Sequence, residues 1–413
     1  MENKNQDKGS PVFLVCDSTM NDKHLKGLPA NIILLGIVSF LNDVSSEMIL
    51  PILPMFIKSL GGAGLAIGLA GGLRDSIPSI LNVLCGYLSD RIGKRKLFVS
   101  AGYLTSAVLR LLLAFSKTWR QAVIFTGLER IGKALRTAAR DAIIAESVIT
   151  RRGKSFGIHR AFDSAGAIFG SIVVFILFWV FGLSFERVML IAGVVAFASL
   201  VPLYFVKEVR NHPKEFTQKI SLRELAKPLR LFIVVAGIFA LANFSYMFFI
   251  LKAQEAFSEK LSVAMPILLY ILFNIFYAGF AIPFGGLSDK IGKGKVIIIG
   301  YLLFSLSSFG FAYFRSLPAF VILFILYGIA NAAIEGNQRA FVSDLASGQL
   351  KATALGAFHT TIGLMAFPAS MIAGFLWQHV GPATTFIYGG IVGVLSIVLF
   401  LVFGSYLGTT KAN

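Results

Sequence analysis

Residues 86–96 read GYLSDRIGKRK, and residues 285–295 read GGLSDKIGKGK. The two stretches agree at eight of eleven positions and lie 199 residues apart in a chain of 413 residues. The same offset relates Arg140 to Arg339 and Gly157 to Gly356. One charged phrase in each half, with the register kept further along, predicts a chain made of two equivalent halves.

The composition is that of a membrane protein. Hydrophobic residues make up 56% of the chain and charged residues 14%, with a mean hydropathy of +0.77, whereas soluble domains average about 45–50% and about 25%. Apolar runs of roughly 20 residues are long enough to cross a bilayer as helices. Twelve such runs predict twelve spans, at about 31–56, 63–88, 97–116, 120–142, 156–181, 186–206, 231–251, 263–285, 296–314, 318–340, 352–376 and 383–405.

The net charge of +17 follows a topology rule and does not indicate a nucleic-acid-binding surface. Of the 38 Lys and Arg, 23 lie in tails and loops of one side, seven in loops of the other side and eight inside spans. Because basic loops stay on the cytoplasmic side, both termini are expected in the cytoplasm of a multi-pass protein of the inner (plasma) membrane. The predicted segments are a tail (1–29), a six-helix bundle (30–206), a linker (207–230), a second bundle (231–405) and a tail (406–413).

The repeated phrase resembles the signature of the loop between spans 2 and 3 in the major facilitator superfamily, G-x-L-[SA]-D-[RK]-x-G-[RK]-[RK]-[RK]. The first copy fits without a gap, and the second departs at Gly294, where a base is usual. The resemblance implies an all-α integral membrane fold of twelve helices in two pseudo-symmetric six-helix bundles, which transports by alternating access. Within the superfamily, the chain resembles prokaryotic drug/proton antiporters and uncharacterised efflux proteins.

The phrase is expected to act as a gate on the cytoplasmic side. The resemblance pairs Asp90 with the start of span 11, near Lys351, where the helix dipole favours an anion by about 0.3–1 kcal/mol. By pseudo-symmetry, Asp289 is expected to face the start of span 5, near Ser155. In the alternative, these charges only anchor loops in the cytoplasm. The gate candidates are Gly86, Asp90, Arg91, Gly93, Lys94, Arg95, Gly285, Asp289, Lys290 and Gly292.

Charged residues inside the spans are unevenly distributed, with thirteen in the first half and only Glu335 and Arg339 in the second. A charge at the centre of a span costs about 2.5–3.5 kcal/mol to insert. Thirteen charges facing lipid would cost on the order of 30 kcal/mol or more, beyond ordinary protein stability. They are therefore expected to face a wet cavity or one another. The substrate-cavity candidates are Arg74, Glu129, Lys133, Arg136, Asp163, Asn243, Asn274, Asn331 and Glu335.

Span 1 carries the first candidates for proton coupling. In SFLNDVSSEMILPILP (39–54), the polar residues from Asn42 to Glu47 share one helix face, and the two prolines are expected to kink the outer end. Asp43 is the first choice of proton carrier, with Glu47 and Asp75 behind it and Arg130 as the group that tunes proton affinity. In the alternatives, Asp43–Arg130 and Asp75 with the arginine before it are permanent ion pairs, or these carboxylates contact the substrate.

The sequence predicts a secondary active transporter of a small molecule, with proton-coupled efflux of a drug or metabolite as the leading interpretation. A basic column in span 4 (Lys133, Arg136 and Arg140) leaves open an importer or exchanger of an organic or phosphorylated anion. A non-transporting membrane sensor is the alternative of another class. No enzyme, cofactor, metal site or nucleic-acid partner is predicted, since the chain lacks a P-loop and metal-ligand spacing. His159 and His359 are expected to be packing residues, and the chain is expected to act in the bilayer as a monomer.

Overall fold

The computed structural model describes residues 28–147, 152–208, 225–346 and 350–404, and every regular element in these ranges is an α-helix. Residues 1–27 and 406–413 of the predicted tails and residues 209–224 of the predicted linker lie outside the described ranges. The helices are α1 (Leu28–Ile49), α2 (Leu53–Ser59), α3 (Gly64–Ile92), α4 (Arg95–Ala114), α5 (Trp119–Glu146), α6 (Arg152–Trp179), α7 (Phe185–Ala198), α8 (Leu200–Tyr204), α9 (Lys227–Ala242), α10 (Met247–Gln254), α11 (Leu261–Ile291), α12 (Lys293–Tyr313), α13 (Leu317–Leu345), α14 (Lys351–His379) and α15 (Pro382–Val402).

Ten helical segments of the described chain are long and apolar enough to cross a membrane. The remaining two long helices, α3 with 29 residues and α5 with 28, are long enough but carry several charged residues each. With α1–α2, α7–α8 and α9–α10 each counted as one broken span, the described helices form the twelve predicted spans. The first helix of the second half begins at Lys227, four residues before its predicted start.

Two of the breaks have different causes. Span 1 is interrupted between Ile49 and Leu53, next to Pro51, as the prolines predicted. Span 7 is interrupted between Ala242 and Met247 without any proline. There the backbone N–H of Ser245 donates to the hydroxyl of Ser370 at 3.2 Å, so a side chain of α14 satisfies part of the opened backbone. This second break was not predicted.

The two halves repeat one packing pattern. In the first half α1 packs on α6 and α7, α3 packs on α5, and α4 packs on α5 and α7. In the second half α9 packs on α14 and α15, α11 packs on α13, and α12 packs on α13 and α15. Each contact has its counterpart one half later, so the predicted fold of two pseudo-symmetric six-helix bundles is confirmed.

A close helix–helix seam joins the halves at one end. Along α3, Gly64 and Gly68 face α14, and a Cβ on Gly68 would lie 2.3 Å from the carbonyl oxygen of Ser370. The pseudo-equivalent pair, α6 and α11, makes far less contact. Small residues allow this backbone-to-backbone approach. The seam lies away from the motif face, which is the end of the molecule where Gly93 (φ 70°) and Gly292 (φ 95°) turn the chain.

At the motif face, the halves are separated by a cavity of about 610 Å³. Its walls come from α5 and α6 of the first half and from α11 to α13 of the second. The molecule is therefore open at the motif face and closed at the opposite face. The lining includes Arg140, Asp141, His159, Arg160, Asp163, Tyr277, Asp289, Glu335 and Arg339.

Gly68→Ala is expected to destabilise the protein by about 1–3 kcal/mol, because overpacking forces backbones apart. The added methyl group would meet backbone of α14, which cannot move as a side chain could. Thermal unfolding of the purified protein in one detergent measures the change. Gly279→Ala on α11 is the control, since a Cβ there meets nothing within 4 Å. Equal melting temperatures for the two variants would contradict the seam.

Candidate functional site

A buried cluster of arginines and one glutamate holds the first half together. Arg110 on α4 donates from Nη2 to Oε1 of Glu129 at 2.8 Å, and the Nε of Arg130 lies 2.8 Å from the other carboxylate oxygen. Arg110 also donates to the backbone oxygen of Asn42 at 2.9 Å, which ties the cluster to α1. All three charged side chains are at most 6% exposed. Glu129 therefore binds arginines in the interior of the bundle. The sequence predicted it in the substrate cavity, but it does not line the cavity at the motif face.

The basic column of α5 is also mostly engaged within the first half. Arg136 donates to the hydroxyl of Ser106 and lies over the ring of Tyr103 at 4.7 Å. Arg140 pairs with Asp141 at 2.9 Å. Because α5 packs closely on α4, the long Arg136 side chain reaches toward α4, and it does not line the cavity at the motif face. Lys133 alone of the three remains exposed.

Three carboxylates lie in the middle parts of span 1 (α1 with α2) and of α3. Asp43 accepts a hydrogen bond from the side-chain amide of Asn42 at 3.1 Å, and that amide oxygen in turn accepts from Arg110 at 3.1 Å. Glu47 accepts from the hydroxyl of Tyr270 on α11 at 3.0 Å, which links the two halves. Asp75 is exposed. None of the three carboxylates joins an ion pair with the described residues.

The predicted ion pairs of these carboxylates do not form. Arg130 pairs with Glu129, and its charge acts on Asp75 rather than on Asp43. The cause is packing, since α5 lies against α3 on the side where Arg130 projects. Asp43 instead interacts electrostatically with Lys133, Arg136, Arg140 and Asp163.

Arg74 also departs from its predicted partner. Its guanidinium carbon lies 6.0 Å from the centre of the ring of Tyr246, a residue in the break between α9 and α10. Cation–π contacts of this kind operate within about 6 Å. Arg74 therefore gives the halves a second polar contact, on the closed side of the cavity.

The second half presents a wall of aromatic rings to these charges. From Tyr246 to Tyr270, on to Phe273 and then to Tyr277, successive ring centres are 5.6, 5.9 and 6.1 Å apart. Three of these residues follow at spacings of three and four along α11, which places them on one helix face. This ladder was missed, although the spacing of its aromatic residues is visible in the sequence.

The predicted polar residues of the second half frame the ladder. Asn274 and Asn331 donate to the carbonyl oxygens one turn back, at 3.1 and 2.8 Å. Asn243 ends α9 at the break in span 7. Glu335 accepts from Tyr277 and pairs with Arg339 at the end nearer the motif face. The ladder therefore runs from a Tyr–Glu pair that links the halves to a second Tyr–Glu pair at the cavity mouth.

Comparison with known proteins decides the family. The family model described as Major Facilitator Superfamily matches residues 35–269 and 235–411. The chain belongs to the major facilitator superfamily. An uncharacterised transporter of this superfamily from Methanocaldococcus jannaschii, MJ1317, is 53% identical over 385 residues, covering 92% of this chain and 96% of the relative.

More distant members agree in length and fold. The multidrug resistance protein MdtH of Proteus mirabilis is 22% identical over 313 residues, covering 73% of this chain and 75% of that protein. The crystal structure of the nucleoside transporter NupG aligns with a TM-score of 0.76 at 17% identity, covering 93% of this chain and 100% of that chain. This chain is therefore a multi-pass membrane transporter of a small molecule, and not an enzyme.

The superfamily gate motif lies at the motif face in an open arrangement. Asp90 accepts from Arg95 at 2.9 Å, within its own motif, rather than from the start of α14. A Cβ on Gly86 would lie 3.2 Å from Ala138, so Gly86 packs on its own half. Asp289 faces the cavity together with Phe156, close to the start of α6. The cross-half latch remains a prediction for the closed state. The other gate candidates, Arg91, Lys94 and Lys290, are exposed, and Gly285 has open space around it.

Asp90→Asn is expected to reduce transport severalfold while leaving expression intact. An anion at a helix N-terminus contributes up to about 1 kcal/mol, and this amount changes the ratio of two conformations roughly fivefold. Transport rates in cells, normalised to the amount of protein in the membrane, give the measurement. Asp344→Asn, an exposed carboxylate paired with Lys293, is the control. Full transport by the Asp90 variant would mean that the phrase only anchors its loop.

Proposed function

We propose that the protein exports a small organic molecule in exchange for protons, with the motif face in the cytoplasm. The observation that carries this proposal is the set of three carboxylates, Asp43, Glu47 and Asp75, that lie in the interior of their spans without an ion pair among the described residues. A charge is expensive there. A permanent ion pair would remove that cost in every state of the cycle, whereas proton binding removes it only when a proton is present. Carboxylates that lack such a pair therefore favour proton coupling.

Asp43 is proposed as the carrier because its surroundings change with the cycle. Dehydration favours the protonated form of a carboxylic acid, and nearby cations favour the ionised form. In the open conformation, Asp43 is partly exposed and interacts with cations of α5. Closure of the motif face would dry this region, and opening of the opposite face would wet it from the other side. Proton affinity would then alternate with access.

Glu47 has a different place in the proposal. Its hydrogen bond from Tyr270 joins α1 to α11 on the closed side of the cavity. When the halves separate at that face, this hydrogen bond has to break. The cation–π contact between Arg74 and the ring of Tyr246 has to break as well. Glu47 is therefore proposed to link the charge state of the first half to the opening of the opposite face.

The walls of the cavity favour a particular kind of substrate. The lining includes the ring of Tyr277, which ends the aromatic ladder, and the carboxylates of Asp163, Asp289 and Glu335. An organic molecule with an aromatic or apolar face suits this lining better than a phosphorylated anion, because Arg136 is bonded inside the bundle and Arg140, at the cavity, is already paired with Asp141. The relative named as a multidrug resistance protein supports export of such compounds.

The proposal is tested by transport into proteoliposomes against a small panel of compounds, with and without an imposed pH gradient. The panel contains aromatic cations, uncharged aromatic compounds, nucleosides and organic phosphates. We expect a pH gradient to drive accumulation of at least one compound with an aromatic face. Accumulation of an organic phosphate instead, or transport that ignores the pH gradient, would overturn the proposal.

The proposed orientation makes a separate prediction about labelling. A cysteine placed at Lys214, in the linker outside the described residues, is expected to resist an impermeant thiol reagent applied to intact cells. The variant is made in a background where Cys16 and Cys85 are replaced by serine. A cysteine at the exposed Glu186, on the opposite face, is the control and is expected to react. The reverse labelling pattern would mean that the motif face lies outside the cell. The proposed direction of transport would then be wrong.

A further inference from the structure

A histidine–aspartate pair on α6 has features that packing does not explain. Nδ1 of His159 lies 3.5 Å from Oδ2 of Asp163, one helical turn further on, and the two side chains are 5% and 15% exposed. The other polar atom of each side chain, Nε2 of the histidine and Oδ1 of the aspartate, is buried without a hydrogen-bond partner among the described residues. An unsatisfied buried polar atom costs about 1–3 kcal/mol, so two in one pair suggest a use.

The pair lies between the cavity and Asp43. Both His159 and Asp163 line the cavity of about 610 Å³ that opens at the motif face. The carboxylates of Asp163 and Asp43 interact electrostatically. One turn beyond Asp163, a Cβ on Gly166 would lie 3.2 Å from Cβ of Asp43, so this part of α6 packs directly on α1. His159 and Asp163 therefore share the cavity wall, and the helical turn that follows Asp163 packs on α1 beside Asp43.

The repeat shows that the pair belongs to the first half alone. The offset of 199 residues places Phe358 opposite His159 and Ile362 opposite Asp163 in α14. Both equivalents are apolar, whereas the neighbouring glycines, Gly157 and Gly356, are kept. A pair that only packed the gate helices would not need polar residues in one half and apolar residues in the other. The polar pair occurs in the half that carries the carboxylates.

We infer that His159 and Asp163 form the station through which protons pass between the cavity and Asp43. This inference rests on the proposed function. A proton from cavity water adds to Nε2 of the imidazole when motion of α6 uncovers it, and the imidazolium gives its Nδ1 proton to Oδ2 of Asp163. The aspartic acid then passes its proton to the carboxylate of Asp43. Exchange with water returns the ring to its first tautomer, and no electron changes hands.

Histidine suits this task because its two ring nitrogens can bind and release a proton at different atoms, one toward water and one toward Asp163. Ionisable groups of both signs surround the pair on every packed element. They are Asp43 on α1, Arg140 and Asp141 on α5, Arg160 on α6, and, across the cavity on α11 to α13, Tyr277, Asp289, Lys293, Glu335 and Arg339.

The test follows the protonation of Asp43 directly and needs no substrate. Full-length protein in liposomes receives a light-triggered pH jump, and time-resolved infrared spectroscopy records the carboxylic-acid band that Asp43→Asn removes. We expect His159→Ala to slow the appearance of this band severalfold while leaving its equilibrium pH midpoint nearly unchanged. Asp163→Asn is expected to slow the band severalfold as well, with the rate compared at that variant's own midpoint, because the substitution also removes a charge that acts on Asp43. Asp163→Glu is expected to keep much of the rate. His359→Ala, in the second half, is the control and is expected to match the wild type.

Chemical rescue separates a proton-transfer role from a structural one. Free imidazole added to His159→Ala is expected to restore the rate of the Asp43 band, since it can carry protons but cannot rebuild packing. Wild-type rates in both the His159 and Asp163 variants would contradict the proposed proton transfer through this pair. Slow rates in His159→Ala that imidazole leaves unchanged would contradict it as well. If the wild-type protein shows no pH-dependent band that Asp43→Asn removes, Asp43 is not the proton carrier. That result would contradict the proposed function itself.

Discussion

Asp43→Asn is expected to abolish accumulation driven by a pH gradient while leaving downhill exchange of substrate measurable. Asparagine keeps the shape and the hydrogen bond from Asn42 but cannot ionise, so the cycle would run without moving a proton. The loss should be complete at every pH, because no titration of another group restores the missing carrier. Proteoliposomes with an imposed pH gradient, compared with counterflow in the same vesicles, measure both quantities.

Three controls decide whether Asp43 is the carrier. Glu186→Gln, an exposed carboxylate at the start of α7, should leave both activities unchanged. Glu47→Gln removes the charge at the Tyr270 bond, and Asp75→Asn removes the exposed carboxylate of α3. If Asp43→Asn still concentrates substrate under a pH gradient and one of these variants does not, the assignment moves to that carboxylate.

Glu129→Gln is expected to cost about 3–5 kcal/mol of stability, which is the typical effect of leaving a buried charge without its partner. Glu129 neutralises two arginines at once, with both contacts at 2.8 Å in a region closed to solvent. Glutamine would leave Arg110 and Arg130 facing each other across an uncharged amide. Unfolding of the purified protein by heat, in the same detergent for each variant, measures the loss.

The predicted loss of stability in Glu129→Gln depends on the burial of the carboxylate. Asp344→Asn, which removes an exposed carboxylate from an ion pair, is the matched control. Asp344 pairs with Lys293, but its side chain is 57% exposed, and exposed pairs contribute about 0–1 kcal/mol. A double variant that replaces Arg110 and Glu129 together by methionine should recover part of the loss, because apolar residues often replace a buried pair without penalty. Similar destabilisation by Glu129→Gln and Asp344→Asn would mean that the cluster is hydrated.

The fold could be read from the sequence because its signals are periodic or repeated. Gly93 and Gly292 occupy matching places in the two phrases, and both adopt positive φ where the chain turns from one helix into the next. Pro51 marks the break in span 1 because proline cannot continue the hydrogen-bond ladder. The break at Asn243 carries no such mark. It depends on Ser370, more than a hundred residues away, which accepts the freed backbone N–H.

The candidate site was predicted as a set of residues more than as a set of contacts. The cost of burying charge predicted that the thirteen groups would face water or one another, and Arg110, Glu129 and Arg130 do contact one another. Which group meets which depends on how helices rotate and pack, and a single helix does not encode this. Arg130 and Arg136 show the difference, since one pairs with Glu129 and the other bonds α4. From helix position alone, Arg130 was expected near Asp43 and Arg136 in the substrate cavity. Neither contact is present.

The seam between α3 and α14 has a consequence for how fast the transporter can cycle. Long side chains lose up to about 1.5–2 kcal/mol of rotamer entropy when they are fixed in a contact, whereas glycine has none to lose. A junction built on Gly64 and Gly68 against Gly374 can therefore open and close without freezing or releasing side-chain rotamers. Turnover should then depend only weakly on rearrangement at this junction, even at low temperature. Bulkier residues there would place an entropic barrier in every cycle.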